Sequence, residues 1–102
     1  MKHVLACLLF ALSSTLSAAP LKVVASFSIL ADFAREIGGE RVTVTALVGP
    51  DADAHAWQPR PSDARTVMEA DVVIANGLGF DTWMERLAAS ASNRRVILAA
   101  DG

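Results

Sequence analysis

Residues 42–63 read V-T-V-T-A-L-V-G-P-D-A-D-A-H-A-W-Q-P-R-P-S-D and join a strand pattern, a polar loop and the start of a helix. Val42 to Val48 is typical of a β-strand, because its even-numbered residues are all apolar and share one face. Pro61 and Ser62 predict a helix start, since proline suits the first turn and serine caps free N–H groups. In α/β proteins the loops that follow strands meet at one edge of the sheet and hold ligands. A binding site is therefore expected between Gly49 and Asp63.

Strand patterns of the same kind occur on both sides of this stretch. Lys22 to Phe27 is short and rich in β-branched residues, as expected of a strand that is buried on both faces. Asp71 to Ala75 and Val96 to Ala100 predict a third and a fourth strand, with a turn at 101–102. Helix patterns separate the four strands. The order βαβαβαβ predicts an α/β fold in which helices cover both faces of a parallel four-stranded sheet.

Three amphipathic helices are predicted between the strands. Ser28 is expected to cap the first helix, which Gly38 and Gly39 end. Thr82 and Glu85 form a capping-box pattern at the start of the third. The residues expected to face the core are Ile29, Leu30, Phe33, Ala34 and Ile37 in the first helix, Ala64, Val67 and Met68 in the second, and Trp83, Met84, Leu87 and Ala88 in the third.

The N-terminus has the layout of a secretory signal peptide, which is predicted to span residues 1–18. A short basic head precedes the apolar run from Val4 to Leu12, and small residues follow. This run is shorter than the roughly 20 residues that a transmembrane helix needs, so no stable membrane insertion is expected after cleavage. Cleavage is predicted between Ala18 and Ala19. A lipid anchor at Cys7 is not expected, because the apolar run follows that cysteine instead of preceding it.

Composition limits the classes of partner. The chain of 102 residues carries nine basic and eleven acidic side chains, and its positive charge is not clustered beyond Arg94 and Arg95. Nucleic acid is therefore not an expected partner, because phosphate binding needs clustered positive charge. No repeat or linker is visible, so residues 19–102 are interpreted as one domain at most. Cysteine is absent from that range, and disulfide bonds are not expected to stabilise it.

His55 is the only histidine that remains once residues 1–18 are set aside. A lone loop histidine is more often solvated than bound to a metal, so spacing alone makes metal binding the weaker interpretation. Asp51 and Asp53 are possible ligands, but aspartate in a turn usually accepts hydrogen bonds from the backbone. Trp57 and Trp83 are interpreted as core or loop anchors and not as surfaces for ligand stacking.

Patterns of enzyme active sites are incomplete in this sequence. Gly77-Leu78-Gly79 resembles the start of a dinucleotide-binding loop, but Thr82 stands where the third glycine belongs. A catalytic triad is not predicted, because Ser26, Ser28 and Ser62 would have to share one histidine and none lies on a nucleophile elbow. Neither enzyme activity nor an organic cofactor is therefore predicted.

Three ordered blocks of the sequence resemble the first part of the periplasmic zinc and manganese solute-binding proteins, the substrate-binding subunits of metal ABC transporters, also called the cluster 9 or A-I group. The blocks span residues 23–39, 44–63 and 70–87. The resemblance implies that Zn²⁺ or Mn²⁺ is the transported ligand and that a membrane permease is the partner. It also implies that His55 is a metal ligand, because His55, Trp57 and Pro59 match the family motif D-x-H-x-[aromatic]-x-P. Imidazole is a good ligand for both metals, and its protonation would weaken binding as pH falls.

The same resemblance implies a protein of two lobes with the metal between them. Residues 19–102 would form most of the N-terminal lobe, and the C-terminal lobe with the remaining ligands would lie beyond Gly102. The segments Ser26 to Ser28 and Asn76 to Phe80 are expected to flank the site. The expected location is the periplasm. Two alternatives stay open, a non-transport interaction module and an inactive truncated product, and an exposed apolar flank would favour either of them.

Overall fold

A computed structural model describes residues 19–91 and 95–100 and confirms the predicted α/β fold and the βαβαβαβ order. The strands are β1 (Leu21–Phe27), β2 (Val42–Val48), β3 (Val72–Ala75) and β4 (Val96–Leu98), and the helices are α1 (Ser28–Gly38), α2 (Pro61–Met68) and α3 (Thr82–Ser90). Short 3-10 turns cover Gly39–Arg41 and Ala54–Ala56. The predicted signal peptide and the predicted turn at 101–102 lie outside the described residues. Within the described part of the chain, no helix is both long enough and apolar enough to cross a bilayer.

The four strands are parallel and lie in the order β2-β1-β3-β4. The chain therefore runs outward from β1 to β2, crosses back over β1 to reach β3, and continues in that direction to β4. Neighbouring strands β1 and β3 send their following helices to opposite faces of the sheet. The gap between their carboxyl ends is the topological switch point, where open α/β sheets bind ligands.

Two apolar clusters cover the two faces of the sheet. Adjacent residues of β1 point to opposite faces, so Val24 lies in one cluster and Ala25 in the other. The larger cluster packs α2 and α3 against β1, β2 and β3. The smaller one packs α1 against β1. The buried members of the larger cluster are Val24, Val48, Ala54, Val67, Val73, Ala75, Trp83, Met84 and Ala88, and those of the smaller are Ala25, Leu30 and Ala31.

The prediction for the inner face of α1 was partly wrong. Leu30 is buried as expected, but Ile29, Phe33 and Ile37 are 58%, 60% and 88% exposed. These three residues lie four apart and form one stripe along the helix, which we call the α1 stripe. Leu30 and Ala31 already fill the contact with the sheet, and a helix that lies on a sheet buries only one arc of its surface. The α1 stripe falls on the next arc.

The close contact between α1 and β2 requires glycine at position 38. A Cβ atom added to Gly38 would lie 2.5 Å from Cγ2 of Val42. The predicted helix end is therefore confirmed, but Gly38 serves it by allowing close approach in a right-handed conformation. Gly39 is the residue with a positive φ, 54°.

The residues that were predicted to cap the helices do not do so. Ser28 and Thr82 are the first residues of their helices, and the preceding Phe27 and Asp81 make no side-chain cap. In α2 the side-chain contact at the helix start comes from Asp63 and not from Ser62, because the carboxylate of Asp63 accepts a hydrogen bond at 2.8 Å from the backbone N–H of Arg60, the residue before the helix. Asp63 is buried, with 5% of its surface exposed.

The other helices and the last strand differ less from expectation. Val67 and the α3 residues Trp83, Met84 and Ala88 are buried as predicted, whereas Met68 is 60% exposed because it lies at the last position of a short helix. Strand β4 ends at Leu98 instead of Ala100. The backbone N–H groups of the next two residues still donate to the carbonyls of Ala75 and Asn76.

Candidate metal site

His55 lies in the middle of the 3-10 turn Ala54–Ala56, between β2 and α2. The turn begins at Asp53, whose Oδ1 accepts a hydrogen bond from the backbone N–H of His55 at 2.9 Å. This confirms the interpretation of Asp53 as a turn residue. The side chain of His55 is exposed. Among the described residues, nothing forms a hydrogen bond with its ring nitrogens, so both are free to bind a ligand.

Trp83 of α3 anchors this turn to the core. The indole Nε1 of Trp83 donates a hydrogen bond to the carbonyl oxygen of Ala54 at 2.6 Å. Both residues are buried, with 5% and 6% of their surfaces exposed. The interpretation of Trp83 as a core anchor is therefore confirmed. The residue before His55 is fixed by a buried hydrogen bond, while His55 itself projects to the surface.

Trp57, on the other side of His55, is half-buried against the larger cluster. The guanidinium carbon of Arg60 lies 5.7 Å from the centroid of its ring, within the range of a cation–π contact. Its indole Nε1 is buried and has no hydrogen-bond partner among the described residues. Trp57 therefore holds the loop through packing and not through a polar contact.

Two phenylalanines line the site beside His55. The ring of Phe80 lies 6.1 Å from the imidazole of His55 and 5.3 Å from the ring of Phe27, measured between centroids. Both distances are in the range that aromatic pairs prefer. Phe27 ends β1, and Phe80 lies in the segment that follows β3. The structure thus brings the segments predicted to flank the site next to the His55 turn.

A buried carboxylate lies beneath this aromatic group. Asp81 is fully buried and accepts hydrogen bonds from the hydroxyl of Ser26 and from the backbone N–H groups of Asn76 and Gly77. Ser26 is also fully buried. The Ser26 hydroxyl reaches Asp81 across the switch point, from β1 to the segment after β3. Sequence reasoning did not single out Asp81 or assign a contact to Ser26.

The candidate site contains one side chain that is a strong metal donor, the imidazole of His55. Within residues 19–91 and 95–100, no group of three or more His, Cys, Asp or Glu side chains is placed to hold a metal ion. One imidazole supplies one of the four positions of a tetrahedral zinc site. Asp51 is exposed and belongs to no such group of three among the described residues. The described residues therefore do not complete a metal site by themselves.

Comparison with known proteins places the chain in a family. The model of the family described as zinc-uptake complex component A, periplasmic, matches residues 23–102. The manganese-binding lipoprotein MntA of Halalkalibacterium halodurans is 44% identical over 77 residues, which are 76% of this chain and 26% of that protein. The manganese ABC transporter substrate-binding lipoprotein PsaA of Streptococcus pneumoniae is 33% identical, over 88% of this chain and 31% of its own length.

Solved structures agree with this assignment. The manganese-bound periplasmic metal-binding protein of Candidatus Liberibacter asiaticus superimposes with a TM-score of 0.72 at 31% identity, over 80% of this chain and 31% of that one. The chain thus spans between a quarter and a third of the length of each of these three proteins. It belongs to the family of the periplasmic component A of zinc-uptake complexes, as the resemblance in its sequence implied.

Proposed function

We propose that residues 19–102 form most of the N-terminal lobe of a periplasmic binding protein that captures zinc or manganese for import, and that His55 is one of its metal ligands. The observation that carries the proposal is the placement of His55. Its ring is exposed at the carboxyl edge of a parallel sheet, and its backbone is fixed by the hydrogen bond to Asp53 and by the Trp83 bond to Ala54. A ligand on a fixed backbone loses less freedom when the metal binds.

The remaining ligands would come from polypeptide outside this chain. A single imidazole leaves most coordination positions to water, which does not give tight capture. The relatives are three to four times longer than the part that this chain matches. In the complete protein a second lobe would bring further nitrogen or carboxylate ligands over His55. Whether zinc or manganese is preferred depends on those ligands.

Delivery to a membrane permease and a periplasmic location are parts of the same proposal. The relatives named above are called substrate-binding proteins, periplasmic proteins or lipoproteins. For this chain we propose cleavage of residues 1–18 and a mature protein that begins at Ala19. Mass spectrometry of the purified N-terminal peptide tests this. An unmodified N-terminus at Ala19 is expected, and a lipid-modified Cys7 at the N-terminus would contradict it.

The decisive experiment is native mass spectrometry of the protein isolated from the periplasm, with bound metal counted. We expect a species heavier than this chain that carries one zinc or manganese ion. His55→Ala in that species should release the metal. Asp51→Ala, which removes an acidic side chain from the same loop, should leave the metal bound. Retention of the metal by the His55→Ala variant, at unchanged affinity in equilibrium dialysis, would remove His55 from the site.

A second candidate function, an interaction module, is favoured by the α1 stripe. Ile29, Phe33 and Ile37 expose a continuous apolar surface, and such surfaces commonly mark protein contacts. Sedimentation of the chain with and without the pair Phe33→Glu and Ile37→Lys distinguishes the candidates. Self-association that the pair abolishes would favour the module. A monomer in both samples favours the transport proposal.

A further inference from the structure

The segment between β3 and α3 has an unusual backbone. Gly77, Leu78 and Gly79 have positive φ values of 85°, 57° and 76° in succession. Two of them are glycines, which adopt this conformation without strain, but Leu78 is not. Leu78 is also 79% exposed, so packing of its side chain does not hold it in this conformation. Some other interaction must fix the segment, which we call the 76–81 loop.

Asp81 supplies that interaction. One carboxylate oxygen accepts from the backbone N–H of Asn76 at 2.8 Å and from the Ser26 hydroxyl, and the other accepts from the N–H of Gly77 at 3.1 Å. The carboxylate therefore ties the end of the loop to its own beginning and to β1. No cationic side chain pairs with Asp81 in the described part of the chain, so these three hydrogen bonds compensate its burial.

The loop carries Phe80 directly before Asp81, and Phe80 is the neighbour of His55. Apart from the Phe80 ring, no aromatic or hydrogen-bonding partner of the His55 side chain exists among the described residues. An exposed histidine otherwise samples several rotamers, and binding of a metal must select one of them. A ring held 6.1 Å away at 48° removes part of that freedom before the metal arrives.

We propose that Ser26 and Asp81 are positioning residues of the metal site, which act through Phe80 to restrict the imidazole of His55. This inference rests on the proposed role of His55 as a ligand. It also goes beyond that role, because it assigns a function to a buried polar pair that lies across the switch point. Ser26 connects the loop to the central strand, Asp81 closes the loop, and Phe80 transmits its position to the imidazole.

The first test observes His55 without any metal. In NMR spectra of the uniformly labelled chain, the side-chain couplings of His55 report rotamer averaging, and cross-peaks to Phe80 report the ring contact. We expect Ser26→Ala and Phe80→Ala each to increase averaging and to weaken or remove the cross-peaks. Ser26→Thr, which keeps the hydroxyl, should restore the wild-type values. Ser90→Ala and Phe33→Ala are matched controls at exposed positions outside the His55 turn and the 76–81 loop.

The second test measures zinc affinity by titration of the same variants with Zn²⁺ alone. Ser26→Ala should weaken binding by about two- to tenfold, the effect of freeing one side chain. In the Phe80→Ala background, Ser26→Ala should cause no further loss, because the serine acts through the phenylalanine. A change that only loosens the fold would lower the affinity again in that background.

The two tests separate this inference from the proposed function. Zinc binding that is unaffected by His55→Ala would refute the ligand role and with it the assignment of Ser26 and Asp81 to a metal site, while the couplings of His55 in the metal-free chain would still report whether the two residues position the imidazole. Unchanged couplings of His55 in a folded Phe80→Ala variant would overturn the positioning role, whatever the zinc titration shows. Phe80 is 39% exposed, so this variant is expected to fold even if Ser26→Ala does not.

Discussion

Ala54 and His55 are adjacent in the chain, but only Ala54 is held in the core. The carbonyl of Ala54 receives the indole proton of Trp83, and the side chain of His55 extends into solvent. A buried residue thus fixes the backbone of its exposed neighbour. In the 76–81 loop, Asp81 is likewise the buried residue that supports the backbone, and Phe80 is the exposed residue beside His55. At the scale of single residues, the groups that determine the site are therefore not the groups that a ligand would touch.

Replacing Trp83 by phenylalanine tests the anchor of the His55 turn. We expect the free energy of unfolding to fall by about 1–3 kcal/mol, because the buried carbonyl of Ala54 loses its donor. Urea denaturation measures the change. Trp57→Phe is the matched control, since its indole N–H has no partner among the described residues and its loss should cost less. Equal losses in the two variants would show that the Trp83 hydrogen bond does not stabilise the fold.

Leu78 offers a test of backbone strain. Both Leu78→Gly and Leu78→Ala remove an exposed side chain, but only glycine relieves the positive φ of 57°. We expect the glycine variant to be more stable than the alanine variant by about 1 kcal/mol. Thermal unfolding of the two variants gives the difference. A more stable alanine variant would mean that the left-handed conformation is not maintained in solution.

His55 could be singled out from the sequence, whereas Asp81 could not. The histidine stands in a loop after a strand pattern, and a family motif surrounds it. Asp81 stands between a glycine-rich turn and a helix, where an exposed cap is the ordinary expectation. Its burial depends on Ser26, which is 55 positions away in the chain. Only the adjacency of β1 and β3 brings the two together, and a local pattern does not contain that information.

At the scale of elements, the close approach of α1 to β2 depends on the missing side chain of Gly38. Gly38→Ala should destabilise the chain by about 1–3 kcal/mol, because the new methyl group would overlap Val42 and force α1 to shift. Chemical denaturation measures the loss. Gly49→Ala is the control, since a Cβ atom there meets nothing within 4 Å. The double change Gly38→Ala and Val42→Ala should recover part of the stability, and no recovery would show that the overlap is not the cause.

The elements themselves could be predicted because their patterns are local. Strands β1 and β3 are short apolar runs, and their bounds agree with the prediction to within a residue. The inner face of α1 could not be predicted in full, because its apolar residues cover more of the helix circumference than a sheet can bury. The choice between Leu30 and Phe33 depends on how the helix is rotated against β1. That rotation depends on the contact of α1 with Ala25 and on the close approach of Gly38 to Val42, and not on periodicity.

At the scale of the whole molecule, the stability is expected to come from the sheet and its two clusters and not from the α1 stripe. The pair Phe33→Glu and Ile37→Lys should change the free energy of unfolding by less than about 0.5 kcal/mol, because both side chains are exposed. It should also reduce binding of a hydrophobic dye. Leu30→Glu, on the buried arc of the same helix, is the contrasting variant and should unfold the chain. A large loss from the pair would mean that the stripe is covered in solution.

The strand order β2-β1-β3-β4 was not predictable from the sequence, although helices on both faces were. Strands β1 and β3 are nearly continuous apolar runs, and β2 has one apolar face, but neither pattern specifies a neighbour. The order nevertheless decides which loops meet. It puts the end of β1 beside the end of β3, and the loop after β2 reaches them over the buried side chain of Trp83. The location of the candidate site thus follows from topology, and the choice of His55 within it follows from the sequence.

Both sides of the candidate site, the His55 turn and the 76–81 loop, are attached to α3. The 76–81 loop runs directly into α3 at Asp81, and the His55 turn is tied to α3 by Trp83 two residues later. A displacement of α3 would therefore act on the imidazole and on the Phe80 ring together, whereas the Ser26 hydrogen bond to Asp81 and the Phe27 ring hold the 76–81 loop to β1. The spacing of the two rings at the candidate site thus depends on how α3 lies against β1.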